Sequence, residues 1–199
     1  MNPNHPGHVP VRAVAVGASL GGVEVLATLL TGLPGDCRVA IFVVVHLPRD
    51  RPSLLPGNFA RICRLPVQEA IDKETIMPGR VYFAPPDYHL LVDRGGLLSL
   101  SADEPVHFCR PAVDVLFESA ADYYREGLLG IILSGNNEDG AAGLAAVRRA
   151  GGRAVVQEPA TARGPVMPAA ALRQVRDAQS LAPEQIARML YSISLEGGL

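Results

Sequence analysis

The sequence predicts an α/β fold: a doubly wound, mostly parallel sheet with an added antiparallel hairpin. Three observations carry that prediction. Apolar, β-branched runs are too continuous for strands exposed on one face, so helices must cover them on both sides. Segments with helical apolar spacing alternate with those runs, as in successive strand–helix–strand crossovers. Small, polar turns follow several of the runs, where an open parallel sheet places its ligands and chemistry.

Residues 1–10 hold prolines, histidines and an asparagine, with no apolar stretch of a signal peptide. They read as a flexible tail before a single domain spanning 11–199, and His5 and His8 are set aside with it. The run 11–16 is the first strand; Val23, Val25, Leu26, Leu29 and Leu30 then give a helix over 23–31. The run 39–45 is a second buried strand. Residues 53–62 have helical spacing interrupted by Pro56 and Gly57, which predicts a broken or late-starting helix. Two short strand patterns around Gly95-Gly96, within 90–100, form the hairpin. A helix over 112–126, a strand over 128–133, a helix over 141–150, a short strand over 154–156 and a helix over 183–194 complete the alternation.

At 199 residues and 48% hydrophobic content, one domain with a substantial core is expected. A net charge of −2 and a pI near 6.2 offer no electrostatic attraction for nucleic acid or an anionic membrane surface. No apolar run is long enough to span a bilayer, so no membrane insertion is expected. Cys37, Cys63 and Cys109 are odd in number, far apart and form no C-x-x-C pair. That pattern suggests neither a disulfide framework nor structural zinc and fits a reducing cytoplasm; no cofactor or metal is expected.

Three strand ends carry groups suited to chemistry. Ser19 lies in the turn Val16-Gly17-Ala18-Ser19-Leu20-Gly21-Gly22 after the first strand. His46 ends the second strand in Val45-His46-Leu47-Pro48, and Asp139 lies in Leu133-Ser134-Gly135-Asn136-Asn137-Glu138-Asp139-Gly140 after a later one. Each has an ordinary explanation: Ser19 as a helix N-cap, His46 as a surface histidine, Asp139 or Asn137 as a cap on the next helix. A dinucleotide fingerprint requires G-x-G-x-x-G, and Ser19 stands where one of its glycines should be. The conjunction is more informative than its members. A hydroxyl, an imidazole and a carboxylate on one sheet rim are the parts of a nucleophile, its base and the group that orients the base.

These motifs resemble the catalytic domain of chemotaxis protein-glutamate methylesterases of the CheB type. The resemblance runs from about Arg12 to the last helix and includes Arg110-Pro111-Ala112-Val113-Asp114-Val115-Leu116-Phe117 and Ala84-Pro85-Pro86-Asp87-Tyr88-His89. It implies a cytoplasmic serine hydrolase acting on glutamyl methyl esters of chemoreceptor helices, and also deamidating receptor glutamines. Ser19 would attack the ester, His46 would carry the proton and Asp139 would fix the imidazole, without metal. Leu20, Asn136 and Met167 would line the oxyanion and substrate pocket.

Departures from the family pattern are visible. Leu20 replaces the usual threonine, and Asn136-Asn137-Glu138 replaces Met-Gly-Asn, so Glu138 could compete with Asp139 for His46. The catalytic segment starts within the first dozen residues, without the receiver domain that covers the site in typical members. Two readings stay open: an isolated domain of a longer protein, or a stand-alone form controlled by a separate regulatory chain or by substrate availability. Two alternatives stay open: a non-catalytic module that binds receptor helices, and a hydrolase for a small ester or amide outside chemotaxis. Arg110 is a candidate for an acidic substrate helix or for a surface ion pair, and His46 is expected to titrate somewhere around 6 to 7.

Overall fold

The computed structural model describes residues 9–47 and 52–196. The proposed tail therefore lies largely outside the described residues, as does Pro48. The main sheet has seven parallel strands: β1 (Ala13–Ala18), β2 (Ala40–Val45), β3 (Val67–Glu69), β4 (Val81–Phe83), β7 (Leu128–Ile132), β8 (Arg153–Gln157) and β9 (Gln179–Leu181). Their order is β3-β4-β2-β1-β7-β8-β9. The chain winds outward from β1 through β2 to one edge, then returns to pair β7 on the other side of β1. That reversal opens a crevice at the carboxyl ends of the central strands. Strands β5 (His89–Asp93) and β6 (Leu97–Ser101) form the hairpin as a separate two-stranded sheet, packed on α3 (Val113–Tyr124).

All residues of β1, β2 and β7 are buried, which explains their unbroken apolar sequences. Alternate residues serve opposite faces. Ala13, Ala15, Phe42 and Val44 face α3, α4 (Ala141–Arg149), α5 (Val166–Gln174) and the hairpin. Val14, Val16, Ile41 and Val43 face α1 (Gly22–Thr31), α2 (Leu55–Ile62) and α6 (Pro183–Glu196). The α3 side of β1 carries only alanines and Gly17. A Cβ at Gly17 would lie 2.4 Å from a Val113 methyl, so glycine lets the start of α3 reach the strand ends.

Several boundaries differ from expectation. β1 starts two residues late and continues through Gly17-Ala18, which makes Ser19 the first residue beyond the strand. α2 is late-starting and unbroken, with Pro56 in its first turn where no intrahelical N–H is lost. The strands β3, β4 and β9, and helix α5, add to the elements read from periodicity.

Candidate active site

The Ser19 turn is fixed by backbone bonds that leave its hydroxyl unspent. Ser19 N–H donates to the Ser134 carbonyl at 2.9 Å, and the Ser19 carbonyl accepts from Gly22 N–H at 2.9 Å. The α1 N-cap is Gly21, without a side-chain cap. The capping role open to Ser19 is thus not taken. Among the described residues Ser19 Oγ has no hydrogen-bond partner, nor do the backbone N–H groups of Leu20 and Gly21 beside it. Those donors sit at the positive end of α1. Buried Ser134 ties this turn to two others: its Oγ donates to the Leu20 carbonyl at 2.6 Å and accepts from Gly164 N–H at 2.8 Å. Its own N–H donates to buried Gln157 Oε1 at 2.9 Å. Gly135 lets the loops meet, because a Cβ there would lie 2.0 Å from Met167 Sδ and 2.8 Å from Ser19 Cβ.

His46 N–H is held by the Ala18 carbonyl at 3.0 Å, which aligns the ends of β1 and β2. Its side chain is 11% exposed, and Nε2 meets Asp139 Oδ2 at 2.8 Å. Asp139 is fully shielded and caps α3 rather than the helix after it. Its Oδ2 accepts from Val113 N–H at 2.7 Å and its Oδ1 from Asp114 N–H at 3.0 Å. The carboxylate therefore completes the positive end of α3 while orienting the imidazole. An acidic partner for Nε2 leaves Nδ1 as the basic nitrogen.

In this state Nδ1 faces the Asn137 amide. Asn137 Oδ1 accepts Asp139 N–H at 3.3 Å, which turns Nδ2 toward His46 Nδ1 and Cys109 Sγ, each at 3.2 Å. Burial opposes charge on His46, but the Asp139 hydrogen bond, the Cys109 contact and the Asp139 charge outweigh it and push the pKa up to about 9. The expected value near 6 to 7 is corrected upward because the buried carboxylate is in direct contact and Cys109 adds to it.

Glu138 does not compete for His46: it is exposed and accepts from Arg173 Nη2 at 2.9 Å. Leu20 and Asn136 are exposed at the rim. Met167 is 1% exposed, its N–H donates to the Gly135 carbonyl at 2.9 Å, and its thioether packs against Gly135. Arg110 takes the ion-pair alternative, gripping Asp87 through Nε and Nη2 at 3.0 and 2.8 Å and the carbonyls of Ala102 and Asp103 through Nη1. Two further histidines have partners. Buried His89 bonds Glu104 O and Ala112 N–H, and His107 approaches Asp114 at 3.5 Å.

Sequence reasoning missed Asn137 as a neighbour of the imidazole and Ser134 and Gln157 as ties between loops; contacts across loops leave no periodic signal. It also missed Cys109. A nitrogen of His46, Cys109 Sγ and a carboxylate oxygen of Asp139 lie within 4.8 Å of one another, a set of metal-capable donors that no spacing motif announces.

Residues 14–190 match the family described as CheB methylesterase. A Leptospira interrogans relative, provisionally named a protein-glutamate methylesterase/protein-glutamine glutaminase, is 39% identical over 182 residues, covering 92% of this chain and 94% of its own. Anaeromyxobacter dehalogenans protein-glutamate methylesterase/protein-glutamine glutaminase 1 is 45% identical over 150 residues, but those are 74% of this chain and 43% of that protein. The crystal structure of the Thermotoga maritima CheB methylesterase catalytic domain superimposes with a TM-score of 0.87 at 29% identity, covering 93% of this chain and all of that one. With the matched segment spanning nearly the whole sheet and its crevice, the chain belongs to the CheB methylesterase family.

Proposed function

We propose that this chain is a cytoplasmic serine hydrolase that removes methyl groups from glutamyl methyl esters on chemoreceptor helices and deamidates glutamines there. The observation that carries this reading is the 2.8 Å His46–Asp139 pair at the same sheet rim as Ser19, which follows the neighbouring strand end and whose hydroxyl no helix cap consumes. Family membership supplies the substrate class. Among the described residues no helix is long and apolar enough to cross a membrane.

The chemistry follows from the donors present. His46 Nδ1 leaves Asn137, accepts the Ser19 proton, and Ser19 Oγ bonds to the ester carbonyl carbon. The oxyanion is met by the N–H groups of Leu20 and Gly21, with Asn136 bordering the pocket. As the C–O bond to methoxide breaks, imidazolium returns the proton and methanol leaves. Water then attacks the acyl-enzyme, giving a glutamate carboxylate and free Ser19. For a glutamine the same steps release ammonia. Asp139 keeps the proton on Nε2 throughout and stabilises the transient imidazolium.

Methanol release from a methylated receptor fragment tests the reading. Ser19→Ala should lower kcat by roughly 10⁶ while leaving the melting temperature unchanged. A serine-reactive phosphonate should label wild type at Ser19. Retained turnover in Ser19→Ala would remove the nucleophile, and an unlabelled, inactive wild type would favour the interaction-module alternative.

A further inference from the structure

We infer that His46, Cys109 and Asp139 form a binding site for a thiophilic divalent cation, Zn²⁺ above others, whose occupation switches the hydrolase off. The donor set is imidazole nitrogen, thiolate sulfur and carboxylate oxygen, the combination that selects zinc among common divalent ions. Its three atoms already lie within 4.8 Å of one another. In a tetrahedral zinc site, bond lengths of about 2.0 to 2.3 Å put neighbouring donors roughly 3.3 to 3.8 Å apart. The 2.8 Å His46–Asp139 contact then opens by about half an ångström, and Cys109 Sγ, within 4.8 Å of both, takes the third position. Both His46 and Cys109 lie in loops beyond regular elements, where such a shift disturbs no strand or helix.

Supporting partners are in place. Asp139 keeps its bonds from Val113 N–H and Asp114 N–H, which hold a metal-bound carboxylate as they hold a free one. Asn137 Nδ2 donates to Cys109 Sγ at 3.2 Å and steadies a thiolate. The site has three protein ligands, leaving one position for water. On binding, the cation displaces the Nε2 proton of the charged imidazolium, whose Nδ1 keeps its own, and the proton of the Cys109 thiol; both released protons go to solvent. The imidazole is then anchored to metal and its ring cannot swing Nδ1 to Ser19. The inhibition, though not the binding, rests on the function proposed above.

Metal-free chain, titrated with Co²⁺ as a spectroscopic stand-in for Zn²⁺, should bind one equivalent and show thiolate-to-cobalt charge-transfer absorption in the near ultraviolet. Zn²⁺ should displace it. Cys109→Ser should lose that absorption and weaken binding by at least about a hundredfold, more than the loss of an outer-shell partner costs. Zn²⁺ inhibition, read against each variant's own metal-free rate, should weaken in parallel. Ser19→Ala should keep the cobalt spectrum although turnover is lost. Absence of the thiolate band in wild type would overturn the inference without reference to any variant. So would a band that survives Cys109→Ser, which would place the metal at Cys37 or Cys63, or equal Zn²⁺ inhibition of both proteins. A chain that shows the Cys109-dependent band but no esterase activity would retain the metal site and lose the proposed function. An active enzyme without the band would do the reverse.

Discussion

Asp139 and Glu138 are adjacent carboxylates with opposite fates. Asp139 is shielded, accepts two α3 backbone N–H groups and meets His46, whereas Glu138 pairs with Arg173 in solvent. Asp139→Asn should cost about 10⁴ in kcat by permitting the wrong imidazole tautomer, and about 0.5 to 2 kcal/mol of stability by weakening the α3 cap. Glu138→Gln should leave kcat within roughly twofold, since an exposed ion pair contributes little. Methanol-release kinetics and thermal melts on both variants check this, and equal losses would reassign the orienting group. His46 adds a pH dependence. Its folded pKa near 9 exceeds the ordinary 6.5, so the fold favours the charged ring. That stabilisation is complete below pH 6.5 and is lost as pH rises through 9. Activity, which needs neutral Nδ1, should climb over the same window. Measured with chelator present, kcat/KM should rise and melting temperature fall; a flat rate profile would reject His46 as the base.

At the scale of elements, the site depends on loops pressed together without intervening side chains. Gly135→Ala would drive a methyl into Met167 and Ser19, at 2.0 and 2.8 Å from the nearest atoms. Overpacking of this kind costs about 1 to 3 kcal/mol. Because the displaced atoms include Ser19 Cβ, kcat should fall far more than KM changes, and a crystal structure should show the nucleophile turn displaced. Normal turnover in Gly135→Ala would mean that the turn yields freely. The legibility of the strands followed burial and length together, and β4, buried but only three residues long, was missed. β1, β2 and β7 were visible in the sequence because every residue is covered on both faces. β3 and β9 were not, since each has three residues that are partly or wholly exposed and no pattern fits in so short a span. Ser19, His46 and Asp139 could be named from strand-end position and family motifs. Asn137 on Nδ1 and Cys109 beside the imidazole could not, because their neighbours are set by tertiary packing alone.

The whole molecule brings chemistry together across its length. His46 and Asp139 are 93 residues apart in sequence, and they meet only because β1 lies between β2 and β7. Helix α3 contributes from a third direction by presenting the N–H groups that Asp139 accepts. The placement of β1 between the two halves has a consequence in time. Local helices form in about a microsecond, but pairing β1 with both neighbours requires long chain segments to close first, which is slow. During refolding from denaturant, helical circular dichroism should therefore recover before methanol release does, and the lag should match the appearance of protected amides in β1 and β7. Coincident recovery of the two signals would show that the sheet forms as early as the helices. Newly synthesised chain is, on this ordering, inert toward esters until the last central strand has docked, so hydrolysis begins only in molecules that have finished folding.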